Sequence, residues 1–299
     1  MPIYTAYGLG IDSTIELPEL TAGAKQIDLT VRYGSIERKP IQTNTESFYY
    51  WRTETEIGLS WQEFATFLIR QGKEIIIELD DGVPEQDIHP ALLGACMAVV
   101  LHQRSYLVLH ASAVKIGDRA VAFIGDKGWG KSTMAASLVA QGNQFITDDV
   151  LAIDLKNEQP IVFPSFPQIK LCPDAVTAMG KDPEFLPRVM TQTQKRQYKP
   201  AATFSTEAVP LRSIYLLNKG ESVGINKMTK SNSILPLLAH SYGARFGKKL
   251  LHLGEAQHFL QCSDLANKVG IYSLSRPSNL DLMNKIVELV QQHSLISSC

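Results

Sequence analysis

A glycine-rich stretch in the middle of the chain constrains the fold more than any other feature, because it matches G-x-x-x-x-G-K-[ST] at every defined position. The matching residues are Gly125, Asp126, Lys127, Gly128, Trp129, Gly130, Lys131 and Ser132. Arg119–Ile124 before it are typical of a buried strand, and Lys131–Gln141 after it have apolar side chains at helical spacing. The sequence therefore predicts a strand, a tight loop and a helix in this order.

Such a loop has a specific chemical use. Its glycines allow tight bends, so that backbone N–H groups and the start of the following helix point at an anion. In this arrangement Lys131 neutralises the β- and γ-phosphates of a nucleotide, and the Ser132 hydroxyl ligates Mg²⁺. We therefore expect a nucleotide and Mg²⁺ as cofactors, bound by Gly125 to Thr133. A glycine-rich turn in an ordinary strand–helix unit is the alternative.

Two adjacent carboxylates follow the next predicted strand. Asp148 and Asp149 come directly after Phe145-Ile146-Thr147. Carboxylates beside a phosphate-binding loop can hold Mg²⁺ or accept a proton from a nucleophile. Because neighbouring strand residues point to opposite faces, only one of them faces the γ-phosphate unless the strand ends or bulges there. A structural role in capping a turn is the alternative.

Three segments together resemble the catalytic domain of HPr kinase/phosphorylase. They are Leu109-His110-Ala111-Ser112-Ala113, Phe123 to Ser132, and Ile146-Thr147-Asp148-Asp149-Val150. That family places a His before the loop strand, a G-[DE]-x-G-x-G-K-S loop, and an Asp-Asp pair after the loop helix. Weaker likeness to the HPr kinase-like proteins found beside peptide-modification genes lies at Pro167–Leu171, Val209–Arg212 and Leu274–Pro277.

The resemblance implies a P-loop kinase domain related to HPr kinase and phosphoenolpyruvate carboxykinase. It implies transfer of the γ-phosphate of ATP to a hydroxyl, most readily a serine of a protein or peptide, and it suggests a homo-oligomer. Carried over residue by residue, Lys131 acts on the phosphates, and Asp148 is the general base toward the acceptor. Asp149 assists Ser132 at the metal, and His110 orients the base.

The chain departs from the family pattern in two places. Thr133 stands where HPr kinases commonly carry an acidic residue, and their Gly-rich, Arg-containing signature is not found downstream of the Asp pair. The acceptor and the reverse phosphorolysis reaction therefore stay open, and so does which of Asp148 and Asp149 is base and which metal ligand. A nucleotide-binding regulatory module without transfer and a small-molecule hydroxyl kinase are the alternative functions.

The composition argues against other classes of protein. A net charge of −1 lacks the basic excess that binding to a nucleic-acid backbone requires. The longest apolar run, Ala91–Leu101, is about half the length of a membrane-spanning helix. The chain does not begin with a secretory signal, and its cysteines form no CxxC pair. We expect a cytoplasmic protein that has neither nucleic acid nor a membrane as a partner.

The pattern of elements predicts an α/β protein, α+β overall, with a β-rich N-terminal domain over residues 1–85 and a P-loop catalytic domain over residues 86–299. Within the first part, Trp61–Arg70 indicates a helical interruption among strands. From Asp87 the spacing predicts a helix of about 15 residues. The basic stretch Arg188–Lys199 is either a mobile loop over the phosphates or a solvated surface segment. The last helix is predicted to begin at Ser278.

Overall fold

The computed structural model describes residues 2–37, 42–45, 47–245, 254–277 and 280–296. Two large β-sheets, with helices between and around them, make up this part of the chain. The predicted class, α/β and α+β overall, is confirmed. The division at residues 85 and 86 stays a prediction.

The first sheet uses residues 3–79. Its strands are β1 (Ile3–Ala6), β2 (Leu9–Ser13), β3 (Thr21–Ala22), β4 (Leu29–Tyr33), β5 (Gln42–Thr45), β6 (Phe48–Arg52), β7 (Glu56–Trp61), β8 (Ala65–Arg70) and β9 (Glu74–Leu79). They lie in the order β3-β1-β2-β4-β9-β8-β7-β6-β5. Strand β4 runs parallel to both β2 and β9, and the other pairs are antiparallel.

The predicted helical interruption at Trp61–Arg70 is wrong, because Ala65–Arg70 is the strand β8, paired with both β7 and β9. The reason is burial on both faces. Phe67 and Ile69 belong to the main core of this sheet, whereas Leu68 packs with a smaller apolar cluster on the opposite face. A strand covered on both sides loses its polar–apolar alternation and cannot be told from a helix by periodicity.

A buried helical segment connects the two sheets. It consists of α1 (Glu85–Ala91), a π-helical turn (Leu92–Cys96) and α2 (Met97–Gln103). It begins two residues before the predicted start, and the π-helical turn was not predicted. Its apolar side chains share one core with the first sheet and with Val150 and Ala152 of the second. The segment therefore lies between the two sheets.

The second sheet uses residues 107–276. Its strands are β10 (Leu107–Leu109), β11 (Ser112–Ile116), β12 (Arg119–Ile124), β13 (Gln144–Thr147), β14 (Leu151–Asp154), β15 (Ile161–Val162), β18 (Val209–Lys219), β19 (Gly224–Lys227) and β20 (Gly270–Arg276). Strands β12, β18 and β20 are parallel, so their carboxyl ends meet at one edge of the sheet. The strands β16 (Ile169–Leu171) and β17 (Arg196–Tyr198) form a separate ribbon.

Two apolar stretches of the sequence each form two strands rather than one. Residues 106–114 divide into β10 and β11 at His110 and Ala111, and residues 144–153 divide into β13 and β14 at residues 148–150. Strand β10 then pairs with β14, and β11 pairs with β13. Because the breaks occur in paired strands, they bring His110 and the two aspartates to the same place.

Helices cover both faces of the second sheet. They are α3 (Lys131–Ala140), α4 (Pro173–Ala178), α5 (Lys230–Ala239), α6 (Tyr242–Arg245), α7 (Gly254–Lys268) and α8 (Met283–Ile296). Apolar residues of α3 and α8 pack on one face, and those of α5 and α7 pack on the other. Helix α3 agrees with its prediction. Helix α8 begins at Met283 rather than at Ser278, which lies outside the described residues.

The basic stretch Arg188–Lys199 is attached to the rest of the protein at a few points, and Arg188, Lys195 and Lys199 are exposed. Arg196 is buried and forms an ion pair of 2.6 Å with Glu184. Thr191 donates its backbone N–H and its hydroxyl to the Asp87 carboxylate of α1. The exposure fits a solvated surface segment that is attached at these points, and the mobile loop over the phosphates stays a prediction.

In the described part of the chain, no helix combines the length and the apolar character that crossing a bilayer requires.

Gly58 allows a test of the first sheet. It lies opposite Trp51 across the β6–β7 pair, and a methyl group at position 58 would overlap the indole ring. We expect Gly58→Ala to lower the free energy of unfolding by roughly 1–3 kcal/mol, because overpacking displaces the ring. Urea-induced unfolding followed by tryptophan fluorescence measures the change.

The matched control is Gly224→Ala in β19, where an added methyl group meets nothing within 4 Å. Equal unfolding free energies for the two variants would contradict the packing of Trp51 on Gly58.

Candidate functional site

The glycine-rich loop, residues 125–130, connects the end of β12 to the start of α3. Gly128 and Gly130 have φ angles of +82° and +85°, in the left-handed region that side chains disfavour. A methyl group at Gly130 would also overlap the Arg276 guanidinium. No side chain caps the start of α3, so its first backbone N–H groups stay available to a ligand. These N–H groups and the positive end of the helix dipole lie at the glycine-rich loop. This geometry suits an anion.

Lys131 lies within the curve of this loop. Its Nζ donates to the carbonyl oxygens of Gly125 at 2.7 Å and of Asp126 at 3.2 Å. The side chain is buried in spite of its charge. The loop backbone therefore fixes the ammonium group beside the N–H groups of α3, and it adds a full positive charge to the anion site.

Asp148 connects the loop helix α3 to the strands β11 and β16. Its Oδ1 accepts hydrogen bonds from Ser132 Oγ at 2.8 Å and from Ser112 Oγ at 2.6 Å. Its Oδ2 accepts the backbone N–H of Lys170 at 3.0 Å. A buried carboxylate next to the Ser132 hydroxyl is the oxygen pair that holds Mg²⁺ in P-loop proteins.

Asp149 points to different partners. Its Oδ1 lies 2.9 Å from His110 Nδ1, and its Oδ2 lies 3.2 Å from Lys170 Nζ. His110 Nδ1 also lies 3.1 Å from the Asp149 backbone oxygen, so this nitrogen faces two acceptors and must carry the proton. The expectation placed His110 beside Asp148 as the base, whereas the structure pairs it with Asp149.

The chain conformation explains how adjacent aspartates reach one site. Strand β13 ends at Thr147, and Asp149 has a φ angle of +76°, which is uncommon for a residue with a side chain. The strand has therefore ended before the pair, and the alternation that would send the carboxylates to opposite faces no longer applies. Thr147 Oγ1 donates to the Val150 carbonyl and closes the turn.

Four further residues of the site were not singled out by the sequence. Ser112 and Lys170 lie inside segments of the family resemblance, but nothing in the sequence assigned a role to their side chains. Tyr242 packs its ring edge-to-face against His110, with 6.1 Å between ring centroids. The His240 carbonyl accepts the backbone N–H of His110 at 2.8 Å. These neighbours come from distant parts of the chain.

The donor set fits Mg²⁺ only together with phosphate. Among the residues that the structure describes, no group of three or more His, Cys, Asp or Glu side chains could hold a metal ion. Ser132 and a carboxylate of the Asp148–Asp149 pair supply protein ligands of the kind Mg²⁺ uses when nucleotide phosphates and water complete its coordination. The residues present are therefore compatible with Mg²⁺ that shares its coordination with phosphate oxygens.

Comparisons with known proteins add little to this geometry. No family model matches the chain, and a search of curated proteins finds no match. Among solved structures, the HPr(Ser) kinase/phosphatase from Coxiella burnetii is similar over 64% of this chain and 99% of its own length, with 15% sequence identity and a TM-score of 0.37. The likeness is weak, and the function proposed below rests on the contacts of the site itself.

His240 gives a pH test of the site. Burial lowers the pKa of this imidazole, and the opposing effect of Asp126 does not reverse the shift. The positive charges of Lys131 and His110 lower the pKa further. The unfolded chain therefore protonates His240 at a higher pH than the folded protein does. The free energy of unfolding is therefore highest above the usual pKa of 6.5. It decreases as the pH falls toward the pKa that His240 has in the folded protein.

We expect the wild-type protein to lose more unfolding free energy than His240→Asn between about pH 7.5 and about pH 5.5. Denaturant unfolding at both pH values measures the difference, and NMR titration of the histidine ring signals assigns it to His240. A His240 pKa at or above the usual range would contradict the geometry.

Proposed function

We propose that the protein is an ATP-dependent phosphotransferase that moves the γ-phosphate of ATP to a hydroxyl group, most readily a serine of a protein or peptide. The observation that carries this proposal is that two adjacent carboxylates contact different partners. Asp148 contacts Ser132 of the loop helix, whereas Asp149 contacts His110 and Lys170. One carboxylate is thus available on the phosphate side and the other on the acceptor side.

On the phosphate side, Lys131 and the N–H groups of the loop bind the β- and γ-phosphates. Ser132 and Asp148 would hold Mg²⁺, which when bound would supply positive charge beside the phosphates. The contacts favour this role for Asp148 over the role of base that the family resemblance assigns to it. The proposal accordingly exchanges the expected roles of the two aspartates.

On the acceptor side, Asp149 accepts the proton of the attacking hydroxyl. His110 holds Oδ1 and Lys170 holds Oδ2, so the carboxylate has a fixed orientation. As the proton passes to Asp149, the hydroxyl oxygen bonds to the γ-phosphorus, and the bond to the β-phosphate oxygen breaks to release ADP. The Lys170 ammonium also lies where it can stabilise negative charge on the transferred group.

Paired substitutions test the assignment of the aspartates. Asp149→Asn should keep the affinity for MgATP within a few-fold and lower kcat by roughly 10²–10⁴, the usual contribution of a general base. Asp148→Asn should instead weaken MgATP binding, because it removes a metal ligand. Calorimetric titration with MgATP, together with transfer of labelled phosphate to serine-containing peptides, separates the two effects.

The control is Asp264→Asn on α7, whose carboxylate forms an ion pair with Lys268 at 2.8 Å and lies outside the site. It should leave affinity and rate unchanged. If Asp149→Asn weakens MgATP binding and Asp148→Asn affects only kcat, the roles that the resemblance implies would be restored.

Lys131→Ala tests the phosphate site itself. Removing a positive group that acts on the transferred phosphate should lower the transfer rate by roughly 10³ or more and weaken ATP binding. Lys156→Ala, at an exposed lysine in the loop after β14, is the control for loss of a positive charge. Near wild-type transfer by Lys131→Ala would exclude the glycine-rich loop as the phosphate site.

A further inference from the structure

A pocket beside the glycine-rich loop extends to residues that have no role in the transfer chemistry proposed above. It is lined by Gly128, Trp129, Asn218, Lys219, Arg276 and Pro277 and comprises about 350 Å³ of space open to solvent. Its wall lies at the carboxyl ends of the parallel strands β18 and β20, next to the end of β12. Ligands of α/β sheets bind at this edge. The position therefore suits a part of the nucleotide that extends beyond the phosphates.

Arg276 is the main residue of this pocket. It is only 8% exposed, and its guanidinium donates to the Trp129 carbonyl at 2.7 Å and to the Pro277 carbonyl at 3.3 Å. Within the described ranges it forms no ion pair with a carboxylate, and burial lowers its pKa. Arg276 is nevertheless one of the residues that line the pocket, and planar guanidinium groups stack on aromatic rings.

Asn218 supplies a directional group. Its Nδ2 donates to the Leu216 carbonyl at 3.2 Å and to Ser273 Oγ at 2.9 Å. Both donors of the amide are thereby used inside the sheet, and Oδ1 of this pocket-lining residue stays available as an acceptor. An acceptor in this position selects a ligand that has a donor, such as an exocyclic amine.

We propose that this pocket binds the adenine base of ATP, with the ring stacked on the Arg276 guanidinium beside Trp129 and its exocyclic amine donating to Asn218 Oδ1. This inference rests on the proposed function and adds nucleotide selection to it. Guanine has a carbonyl oxygen where adenine has the amine, so two acceptors would face each other. Because Arg276 also binds the Trp129 carbonyl, it positions the base relative to the loop that holds the phosphates.

The experiment measures binding of ATP, GTP and inorganic tripolyphosphate, each with Mg²⁺, by calorimetry. The wild-type protein should bind ATP about tenfold or more tightly than GTP or tripolyphosphate. Arg276→Ala should reduce ATP affinity about tenfold or more while tripolyphosphate affinity changes less than about threefold. Asn218→Ala should bring the affinities for ATP and GTP within about threefold of each other.

Lys227→Ala, at the opposite end of the β19–β20 pair, is the control for loss of an exposed charge near the same strands. Thermal unfolding of each variant confirms that it is folded. Equal losses of ATP and tripolyphosphate affinity in Arg276→Ala would overturn the stacking role. An unchanged preference for ATP in Asn218→Ala would overturn the role of the amide.

Tripolyphosphate separates failure of this inference from failure of the proposed function. If it binds as tightly as ATP, and if Lys131→Ala abolishes that binding, the adenine pocket is refuted while the phosphate site stands. If neither ATP nor tripolyphosphate binds, the proposed function is refuted, and the pocket with it.

Discussion

The hydrogen bonds to the Asp148 carboxylate connect the elements on which the site depends. Ser132 from α3, Ser112 from β11 and the backbone of Lys170 from β16 all donate to it. A buried carboxylate is stable only when such donors replace the water it has lost. The position of the glycine-rich loop relative to the end of β13 is therefore fixed by one charged group, and this group is the one nearest to Ser132.

The second constraint is the turn at Asp149, directly after Asp148. Left-handed backbone at a residue with a side chain costs about 1–3 kcal/mol and persists only where its surroundings fix it. At Asp149 these surroundings are His110, Lys170 and the Thr147–Val150 hydrogen bond. The strain gives the site two carboxylates at consecutive positions that face different partners. A regular strand could not provide this, because it would direct one of them away.

The sequence predicts well what depends on local pattern and poorly what depends on pairing between distant segments. The strand, loop and helix around Lys131 are predicted from the glycine positions and the helical spacing of apolar residues. The structure confirms their order. The break at His110 was not predicted, because the residues on both sides of it are apolar and have the pattern of one strand. The break becomes visible only because β10 and β11 pair with different strands. Lys170 and His240 reach the site through tertiary contacts that no local signal encodes.

The π-helical turn shows how the two halves of the chain meet at the site. Gly94 lies in this turn, and a methyl group there would be 3.3 Å from both Asp149 Oδ2 and the Tyr242 hydroxyl. The connecting helix, which packs on the first sheet, thus approaches the Asp149 carboxylate with its bare backbone. A π-helical turn adds a residue to one turn of a helix and often occurs beside functional sites. The glycine-rich loop and Ser132 therefore belong to the second sheet and its helices, whereas the Asp149 carboxylate also lies against the helical segment that packs on the first sheet.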